Sequence, residues 1–470
     1  MRKGLIAVLI SIIGVAMIVP SASAALPEGA PVEFLQSGSS SFRWMDITID
    51  ATGLVAYAAQ DLSSGYEDKI WKTTDGGTSW AALSSSPSAR WVAIDTSADG
   101  QIVYAISTDG STWTLYKSVD GGVTWGADSV LTAYTLMCDV ATDDDGSQVF
   151  IAFCGSTIYG SDDAGASWSP SIVAGNVTSL DISGNGSKVV GVAGQDVFIS
   201  TDDGVNWISQ PVVSNSVLSA VSVSSNGETI LLSSSTGPDA DAWISTDGGL
   251  DFDPAGFGAE YGSSVQAVSG AVSGDGTTML WGWYGGPLKF SRDGGVTWTS
   301  PTTAGWLSFA INFDGSRGVL GAEGFGAAWS FRQPVPLITT VRPRKGEAPF
   351  PETVTIEGSY FYDGCVVTLD GAGLSTTFVD EGTLRVQLQE DSPHSGDVAV
   401  ICDAAASTQF RWVYRSTATT TTTTTVTTTP TESTLPPTGS SDSNSVWFAG
   451  ILISAGLVVM FKVRRITHSR

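Results

Sequence analysis

Four aspartates recur at two fixed positions in a set of similar short segments, where carboxylates could act as general acid, base or nucleophile. Asp46 and Asp139 stand seven residues before a turn glycine, and Asp95 and Asp181 stand five residues before one. The other segments carry small residues at these positions: Ala93, Ser179, Ala220, Ser269 and Ser308 at the first, and Thr48, Ala141, Ser222, Ala271 and Ala310 at the second. Glycosidases use two carboxylates about 5 to 10 Å apart, so Asp46 and Asp139 are the candidate catalytic residues. The alternative role for all four is hydrogen bonding to neighbouring backbone.

Histidine and metal chemistry find no support in the sequence. His394 and His468 both lie outside residues 31–333, so neither a Ser-His-Asp triad nor a His-ligated metal can be built there. The turns DTSADG (95–100) and DISGNG (181–186) begin like calcium loops, but Ile106 and Val192 stand where such a loop needs a glutamate. The sequence therefore predicts no metal and no cofactor.

The elements that carry these aspartates belong to an internal repeat. A box of the form Ser/Thr-x-Asp-x-Gly-x-x-aromatic occurs six times, with steps of 45, 43, 39, 45 and 46 residues between its aspartates. The box aspartates are Asp75, Asp120, Asp163, Asp202, Asp247 and Asp293, and the aromatics are Trp80, Trp125, Trp168, Trp207, Phe252 and Trp298. A period of this length is typical of a solenoid, a propeller or an array.

Strand periodicity fills each repeat, as in GQIVYAIS (100–107), and the predicted class is all-β. Seven hairpins surround Gly53, Gly100, Gly146, Gly186, Gly227, Gly276 and Gly315. Seven four-stranded units closed in a ring predict a seven-bladed β-propeller over residues 31–333. The seventh unit has no box, and VEFLQS (32–37) is the candidate for its outer strand.

The box resembles the Asp-box (BNR) repeat of sialidase-like propellers, which implies that the six box aspartates are structural turn residues. A retaining sialidase also needs an arginine trio and an Arg-Ile-Pro motif. Residues 31–333 contain only Arg43, Arg90, Arg292, Arg317 and Arg332, and no Arg-Ile-Pro. The missing arginine trio and Arg-Ile-Pro motif therefore favour a protein without enzymatic activity, while a hydrolase that uses other residues stays open. Loops opposite the boxes supply the binding candidates Trp44, Trp91, Trp113, Trp306, Arg43 and Arg90.

Residues 334–414 predict a separate immunoglobulin-like β-sandwich, because short strands alternate there with turn signals. The segment TVTIEGSYF resembles the motif of the IPT/TIG domain at Val354, Thr355, Ile356, Gly358 and Phe361. This resemblance implies a spacer or an interaction module.

Both ends of the chain carry targeting signals. Residues 1–24 have the charged start, apolar middle and small-residue end of a signal peptide. A Thr-rich stalk at 415–434 precedes LPPTG, the apolar run 446–461 and a basic tail. Residues 435–470 resemble the cell-wall sorting signal of sortase substrates, which implies cleavage between Thr438 and Gly439 in a motif fixed by Leu435, Pro436, Thr438 and Gly439. The apolar run is the predicted membrane segment, which holds the chain before sortase joins it to the wall.

Charge and cysteine content limit the partners. Between the two predicted cleavage sites, 16 basic and 46 acidic residues remain, a formal net charge of −30. Such a surface repels phosphate backbones, so nucleic acid is excluded as a partner. Cys138 and Cys154 fall in the repeats, and Cys365 and Cys402 fall in the sandwich, which suggests one disulfide in each domain of an exported chain.

The sequence leaves three functions open for an extracellular, wall-anchored protein. The first is a non-catalytic binding or adhesion module for a surface glycan or a protein ligand. The second is a glycoside hydrolase, sialidase-like or glucanase-like, that uses the propeller carboxylates. The third is an envelope assembly factor, since photosystem assembly-factor propellers share the box.

Overall fold

The structure is a computed structural model, in which the chain divides into two compact units, residues 1–417 and residues 418–470. It describes residues 33–37, 44–60, 68–128, 131, 136–154, 157–172, 175–211, 217–236, 241–257, 267–283, 286–302, 305–322, 328–334, 336–343, 345–346, 352–362, 365–388, 395–402, 405–406 and 410–414. Their regular elements are β-strands, as the all-β class predicts. None of these residues belongs to a helix long and apolar enough to cross a membrane.

Seven small antiparallel sheets follow one another along the first part of the chain. An N-terminal strand, β1 (Glu33–Gln36), precedes them. Sheet 1 is β2 (Trp44–Ile49), β3 (Ala56–Gln60), β4 (Trp71–Thr73) and β5 (Ala81–Ala82). Sheet 2 is β6 (Arg90–Thr96), β7 (Val103–Thr108), β8 (Trp113–Ser118) and β9 (Gly126–Ala127). Sheet 3 is β10 (Met137–Thr142), β11 (Val149–Phe153), β12 (Thr157–Ser161) and β13 (Ser169–Ile172). Sheet 4 is β14 (Ser179–Ile182), β15 (Val189–Ala193), β16 (Asp196–Ser200) and β17 (Ile208–Pro211). Sheet 5 is β18 (Val217–Val223), β19 (Ile230–Thr236), β20 (Ala242–Ser245) and β21 (Asp253–Pro254). Sheet 6 is β22 (Ala267–Val272), β23 (Met279–Trp283) and β24 (Lys289–Ser291). Sheet 7 is β25 (Trp306–Ile311), β26 (Arg317–Ala322) and β27 (Ala328–Arg332), with β1 paired to β27.

The pairing of β1 with β27 is antiparallel, with Phe34 opposite Phe331 and Gln36 opposite Trp329. The strand predicted from VEFLQS thus supplies the fourth strand of sheet 7. A strand from the start of the chain therefore completes a sheet formed near residue 330, and it covers an edge that would otherwise be open.

The hairpin between the first two strands of each of these sheets turns at a glycine with a positive φ, for example 71° at Gly53. Glycine adopts this conformation without steric cost. The turns are also joined from sheet to sheet, which forms a circle of hydrogen bonds at one end of the sheets. Its links are Ala51 N–H to Ala98 O, Ala98 N–H to Asp144 O, Asp144 N–H to Gly184 O, Asn185 N–H to Ser225 O, Ser225 N–H to Gly274 O, Asp275 N–H to Phe313 O, and the Asn312 side-chain amide to Ala51 O.

The hydrophobic core lies between sheets. Seven apolar clusters each join two sheets, and one of them joins sheet 7 to sheet 1. In one of them Phe150 of β11 packs with Leu180 of β14 and Phe198 of β16. Small sheets packed face to face around an axis, with their first strands innermost, form a β-propeller.

Two further sheets follow the propeller and share one core. The first consists of β28 (Leu337–Arg342), β30 (Glu352–Ser359), β34 (Thr383–Leu388) and β33 (Thr376–Asp380), in that order across the sheet. The second consists of β29 (Lys345–Gly346), β37 (Phe410–Tyr414), β35 (Ser395–Cys402), β31 (Val366–Leu369) and β32 (Ala372–Gly373), with β36 (Ala405–Ala406) paired to β35. Val354, Ile356 and Phe361 of the sequence motif lie in the core between these sheets.

Candidate functional site

A β-bulge near the start of the innermost strand sets the direction of the axial side chains. The register shifts between Trp44 and Asp46 in β2, and between Met137 and Asp139 in β10. Because a bulge adds one residue, it reverses the side-chain alternation. Trp44 and Met137 are therefore buried between sheets, while Asp46 and Asp139 line a cavity on the axis.

This axial cavity has a volume of about 280 Å³ and is lined by all seven innermost strands. Asp46, Asp95, Asp139 and Asp181 contribute carboxylates from sheets 1 to 4, and no Lys, Arg or His occurs among the described lining residues. At the turn end, Asp144 of sheet 3 accepts a hydrogen bond from the Ser225 hydroxyl of sheet 5 at 2.8 Å. The cavity is therefore acidic on one half of its wall.

Each axial carboxylate binds the backbone of the next sheet. Asp46 Oδ2 accepts from Ile94 N–H of β6 at 2.8 Å, and Asp95 Oδ2 accepts from Thr142 N–H of β10 at 2.7 Å. The other oxygen of each group accepts from the following residue of its own strand. Asp95 Oδ1 also accepts from the hydroxyl of Thr48 in β2, at 2.9 Å.

The same arrangement continues through sheets 3 to 5. Asp139 Oδ2 accepts from Leu180 N–H at 3.0 Å, and Asp181 Oδ2 accepts from Val223 N–H at 2.7 Å. In sheet 5 the hydroxyl of Ser222 takes the same place and accepts from Val272 N–H at 3.2 Å. We call these five contacts the axial latches, because each joins one innermost strand to the next.

Burial changes the protonation of the latch carboxyls. Desolvation raises the pKa of Asp46 to about 8, and the charge of Asp139 contributes further. Desolvation also raises the pKa of Asp95 to about 7 and that of Asp139 to about 6, although backbone N–H donors oppose it. The pKa of Asp181 lies well above its ordinary value, through burial and then through the charge of Asp95. Asp46, Asp95 and Asp139 therefore take up protons near neutral pH, and the charges of the four groups couple their titrations.

The chemistry open to this set is limited by its contacts. Asp46 and Asp139, the predicted catalytic candidates, both face the cavity and interact electrostatically. Each also has both oxygens engaged by backbone N–H groups. In the described part of the chain, no group of three or more His, Cys, Asp or Glu residues could hold a metal ion.

Three of the predicted binding residues require correction. Trp44, Trp91 and Trp306 are 0%, 2% and 0% exposed and pack in the cores between sheets, so a ligand does not reach their rings. They stand just before or at the bulge, where sequence position alone does not show which way a side chain points. Trp91 also donates its Nε1–H to Asp68 O at 2.8 Å.

Arg90 and Trp113 retain surface at the other end of the sheets. Arg90 begins β6 and pairs with Thr108 of β7, which in turn pairs with Trp113 of β8. Arg90 is exposed and Trp113 is half-buried. Arg43, the remaining binding candidate, lies outside the described residues.

The six boxes form one repeated turn. In the second box, Asp120 Oδ1 accepts from Thr124 N–H at 2.8 Å and from the hydroxyl of Ser118 at 2.8 Å. Ser118 accepts from Gly122 N–H at 2.8 Å. Equivalent bonds hold the turns at Asp75, Asp163, Asp202, Asp247 and Asp293. These bonds lower the pKa of each box aspartate, and that of Asp163 falls to about 2. Every box carboxylate is thus used within its own turn.

Sequence reasoning missed a second repeated turn residue. Three positions before each hairpin glycine, a short polar side chain accepts the N–H that follows the turn, as Asp50 does from Val55 at 3.1 Å. The equivalent acceptors are Ser97, Asp143, Ser183, Ser224, Ser273 and Asn312. The signal was present in the sequence, because all seven repeats have Asp, Ser or Asn there.

Both suggested disulfides are present in the structure. Cys138 is bonded to Cys154, which joins β10 to the residue after β11 in sheet 3. Cys365 is bonded to Cys402 within the sandwich. The signal peptide, the Thr-rich stalk, the sorting motif and the membrane segment lie outside the described residues.

Comparisons with known proteins agree with this architecture. Residues 336–414 match the family model of the IPT/TIG domain, so the chain contains such a domain. A comparison of the sequence with curated proteins found no match. The chain resembles the β-propeller GH74 xyloglucanase from Xanthomonas campestris, with 14% identity and a TM-score of 0.50 over 70% of this chain and 60% of that one.

Two structures of another β-propeller protein also match. One is YCF48 bound to D1 peptide, at 14% identity and a TM-score of 0.49 over 68% of this chain and 100% of that one. The other is YCF48 from Cyanidioschyzon merolae, at 16% identity and a TM-score of 0.48 over 64% of this chain and 98% of that one. At such low identity the xyloglucanase likeness shows the β-propeller fold alone. The IPT/TIG domain that follows the propeller is shown by the family model.

Proposed function

We propose that this chain is a wall-anchored surface protein whose seven sheets are the blades of one closed propeller, which binds a glycan or protein ligand without catalysing a reaction. The observation that carries the non-catalytic role is the use of the axial carboxylates. Asp46 and Asp139 each bind the N–H of the next sheet, at Ile94 and Leu180, so their oxygens already serve the scaffold.

The seven-blade count is supported by three features of the described residues. There are seven sheets, seven apolar clusters between them, and a circle of turn bonds that returns from sheet 7 to Ala51 of sheet 1. Such closure leaves a rigid scaffold whose loops can carry a binding surface.

The binding role is tested with purified protein on a glycan array, followed by product analysis for each glycan that binds. We expect the protein to bind at least one glycan, or a surface protein, and to release no shorter sugars. Asp139→Asn should then change binding only in proportion to any loss of folded protein. Release of sugar that Asp139→Asn abolishes at full stability would contradict the non-catalytic role.

The anchoring role rests on the sequence of residues 435–470. Thr438→Ala should leave the protein in the membrane fraction, because sortase joins that threonine to the wall. Pro437→Ala is the matched control, since Pro437 fills the free position of the motif, and this variant should still reach the wall. Full extraction of the wild type with mild detergent would show that the sorting hypothesis is wrong.

A glycoside hydrolase is the second candidate, and one observation favours it. Burial raises the pKa of Asp46 to about 8, in the range of a general acid that stays protonated at neutral pH. Asp139 has the lower pKa, about 6, and would be the base or nucleophile of such a pair. A bell-shaped pH profile of sugar release, lost in both Asp46→Asn and Asp139→Asn, would establish this alternative. Envelope assembly stays a prediction, to be tested by co-purification of envelope proteins.

A further inference from the structure

Among the described residues, the axial latches join five pairs of neighbouring sheets and no others. Carboxylates or a serine hydroxyl join sheets 1 to 2, 2 to 3, 3 to 4, 4 to 5 and 5 to 6. Sheet 6 has Ser269 and Ala271 at the two latch positions, and sheet 7 has Ser308 and Ala310. Neither sheet has a carboxylate at these positions, and among the described residues no axial latch joins sheets 6 and 7.

Strand β1 is the outermost strand of sheet 7 and lies at the outer edge of this junction, away from the axial latch positions. The Phe34 ring packs on Phe290 of sheet 6 at 5.7 Å between ring centres, and on Phe331 of sheet 7 at 5.8 Å. One side chain of β1 thus connects the two sheets from outside, while its backbone pairs with β27. Release of β1 would therefore remove the outermost contact across this junction and leave the apolar cluster between sheets 6 and 7 to hold it.

The residue beside Phe34 contacts the sandwich. Glu33 Oε1 accepts a hydrogen bond from the Tyr360 hydroxyl at 2.9 Å, and Glu33 Oε2 forms an ion pair with Arg332 of β27 at 3.4 Å. The bond to Glu33 raises the pKa of Tyr360. A second contact joins the buried side chains of Gln333 and Tyr362. Gln333 also donates its backbone N–H to Ser316 O of sheet 7, at 2.9 Å.

The backbone of the sandwich is shaped for this contact. Tyr360 has φ of 64°, a left-handed conformation that residues with bulky side chains rarely adopt. The next residue, Phe361, is fully buried in the sandwich core, while Tyr360 stays at the surface beside Glu33. Such strain persists where surrounding contacts hold it, and it often marks a functional contact.

From these contacts we infer that the IPT/TIG domain is a clamp on ring closure: Tyr360 and Tyr362 hold β1 and the end of β27, and so keep the unlatched junction between sheets 6 and 7 shut. The domain is then more than a spacer. Loss of the clamp should loosen β1 first and leave the latched sheets closed.

Hydrogen exchange of the intact protein tests the clamp. In the double variant Tyr360→Phe/Tyr362→Phe, two hydroxyls are removed and both rings stay. We expect amides of residues 33–37 to exchange about tenfold faster, the order expected when two hydrogen bonds are lost. Amides of β11, in sheet 3, should keep their wild-type rate. Glu33→Gln changes the same contact on the propeller side. It should also accelerate the hydrogen exchange of residues 33–37.

Glu357→Gln is the control, because it breaks an exposed ion pair with Arg342 inside the sandwich, at 3.2 Å, without touching β1. It should leave residues 33–37 protected. Unchanged exchange of β1 in the double variant, or equal acceleration in Glu357→Gln, would overturn the clamp. A double variant that exchanges faster throughout both domains would also overturn it, because the effect would then be general destabilisation.

Discussion

The Asp46 carboxylate of sheet 1 accepts a hydrogen bond from the backbone N–H of Ile94 in sheet 2, at 2.8 Å. This bond joins two innermost strands that are 48 residues apart in the sequence. Asp139 repeats it with Leu180, and Asp95 and Asp181 make the same bond two residues further along their strands. An acid that looks catalytic in one strand is therefore part of a series that connects four sheets to their neighbours.

Loss of one latch should destabilise the propeller. Asp95→Ala leaves the N–H of Thr142 and the hydroxyl of Thr48 without their acceptor, and Ala is accommodated because Ala141 occupies the same position in sheet 3. At pH 5.5 we expect a loss of about 1–3 kcal/mol in the free energy of unfolding. Urea denaturation measures it. The exposed Asp196 provides the control, and Asp196→Ala should change stability by less than about 0.5 kcal/mol.

The titration of the same carboxyls should make the stability of the protein depend on pH. The pKa values of about 8 for Asp46, about 7 for Asp95 and about 6 for Asp139 lie above the value of about 3.9 for an unfolded aspartate. Between those limits the folded protein binds more protons than the unfolded chain. Stability is then greatest at low pH within this window and falls as pH rises from about 4 to about 8.

Asp46→Asn isolates this effect, because burial raises the pKa of Asp46 further than that of Asp95 or Asp139. Denaturation at intervals from pH 5 to pH 9 should show a shallower decline in the variant, and at pH 9 the variant should be more stable than the wild type. Asp196→Asn should keep the wild-type slope. Parallel curves for Asp46→Asn and the wild type would mean that Asp46 does not titrate in this window.

The propeller strands could be predicted from the sequence because residues typical of tight turns mark the ends of the strands in each repeat. Gly53 and its six counterparts mark the hairpins, and the box aspartates mark the turns between the outer strands. The strand at Glu33–Gln36 could also be assigned to sheet 7, since the seventh repeat has no box. Local patterns sufficed because these turns are built from residues close together in the chain.

The site was less accessible to sequence reasoning, because its contacts join residues more than forty positions apart. The alternation around Asp46 and Asp95 indicated axial positions, but the partner N–H groups of Ile94 and Thr142 leave no mark on residue type. Trp44 and Trp306 were misplaced because a bulge reverses the side-chain direction between them and the axial positions. The contact of Glu33 with Tyr360 depends on how two domains dock, and no repeated sequence pattern indicates it.

The box tryptophans should matter for stability alone. Trp125 packs against the cluster between sheets 1 and 2 and donates its Nε1–H to Gly122 O at 3.2 Å. Trp125→Ala should cost about 3 kcal/mol, the lower end for a large aromatic side chain because the ring is half-buried. Val123→Ser, in the same turn at 68% exposure, should stay within about 0.5 kcal/mol of the wild type. A Trp125 variant of full stability that no longer binds ligand would contradict the structural role.

The disulfide in sheet 3 should support the propeller independently of the latches. Cys138 and Cys154 close a loop with a sequence separation of 16, for which chain entropy predicts about 3 kcal/mol. The double variant Cys138→Ser/Cys154→Ser should therefore lower the Tm of the propeller in calorimetry. Cys365→Ser/Cys402→Ser should act first on the sandwich, where that bond lies. Equal melting of the Cys138/Cys154 variant and the wild type under non-reducing conditions would contradict this prediction.

The residues that the sequence suggests for ligand binding should separate into two groups. Trp306 is fully buried and contacts the rings of Phe309 and Trp329, with centres 6.3 Å and 6.0 Å away, so Trp306→Ala should cost about 3–5 kcal/mol. Arg90 is exposed at the start of β6, and Arg90→Ala should change stability by less than about 0.5 kcal/mol. Thermal melting and glycan binding, measured on both variants, distinguish the two roles. If the sheet end at Arg90 contacts the ligand, Arg90→Ala loses binding at an unchanged Tm, whereas Trp306→Ala loses binding only with its fold. Full binding by Arg90→Ala would remove that sheet end from the ligand surface.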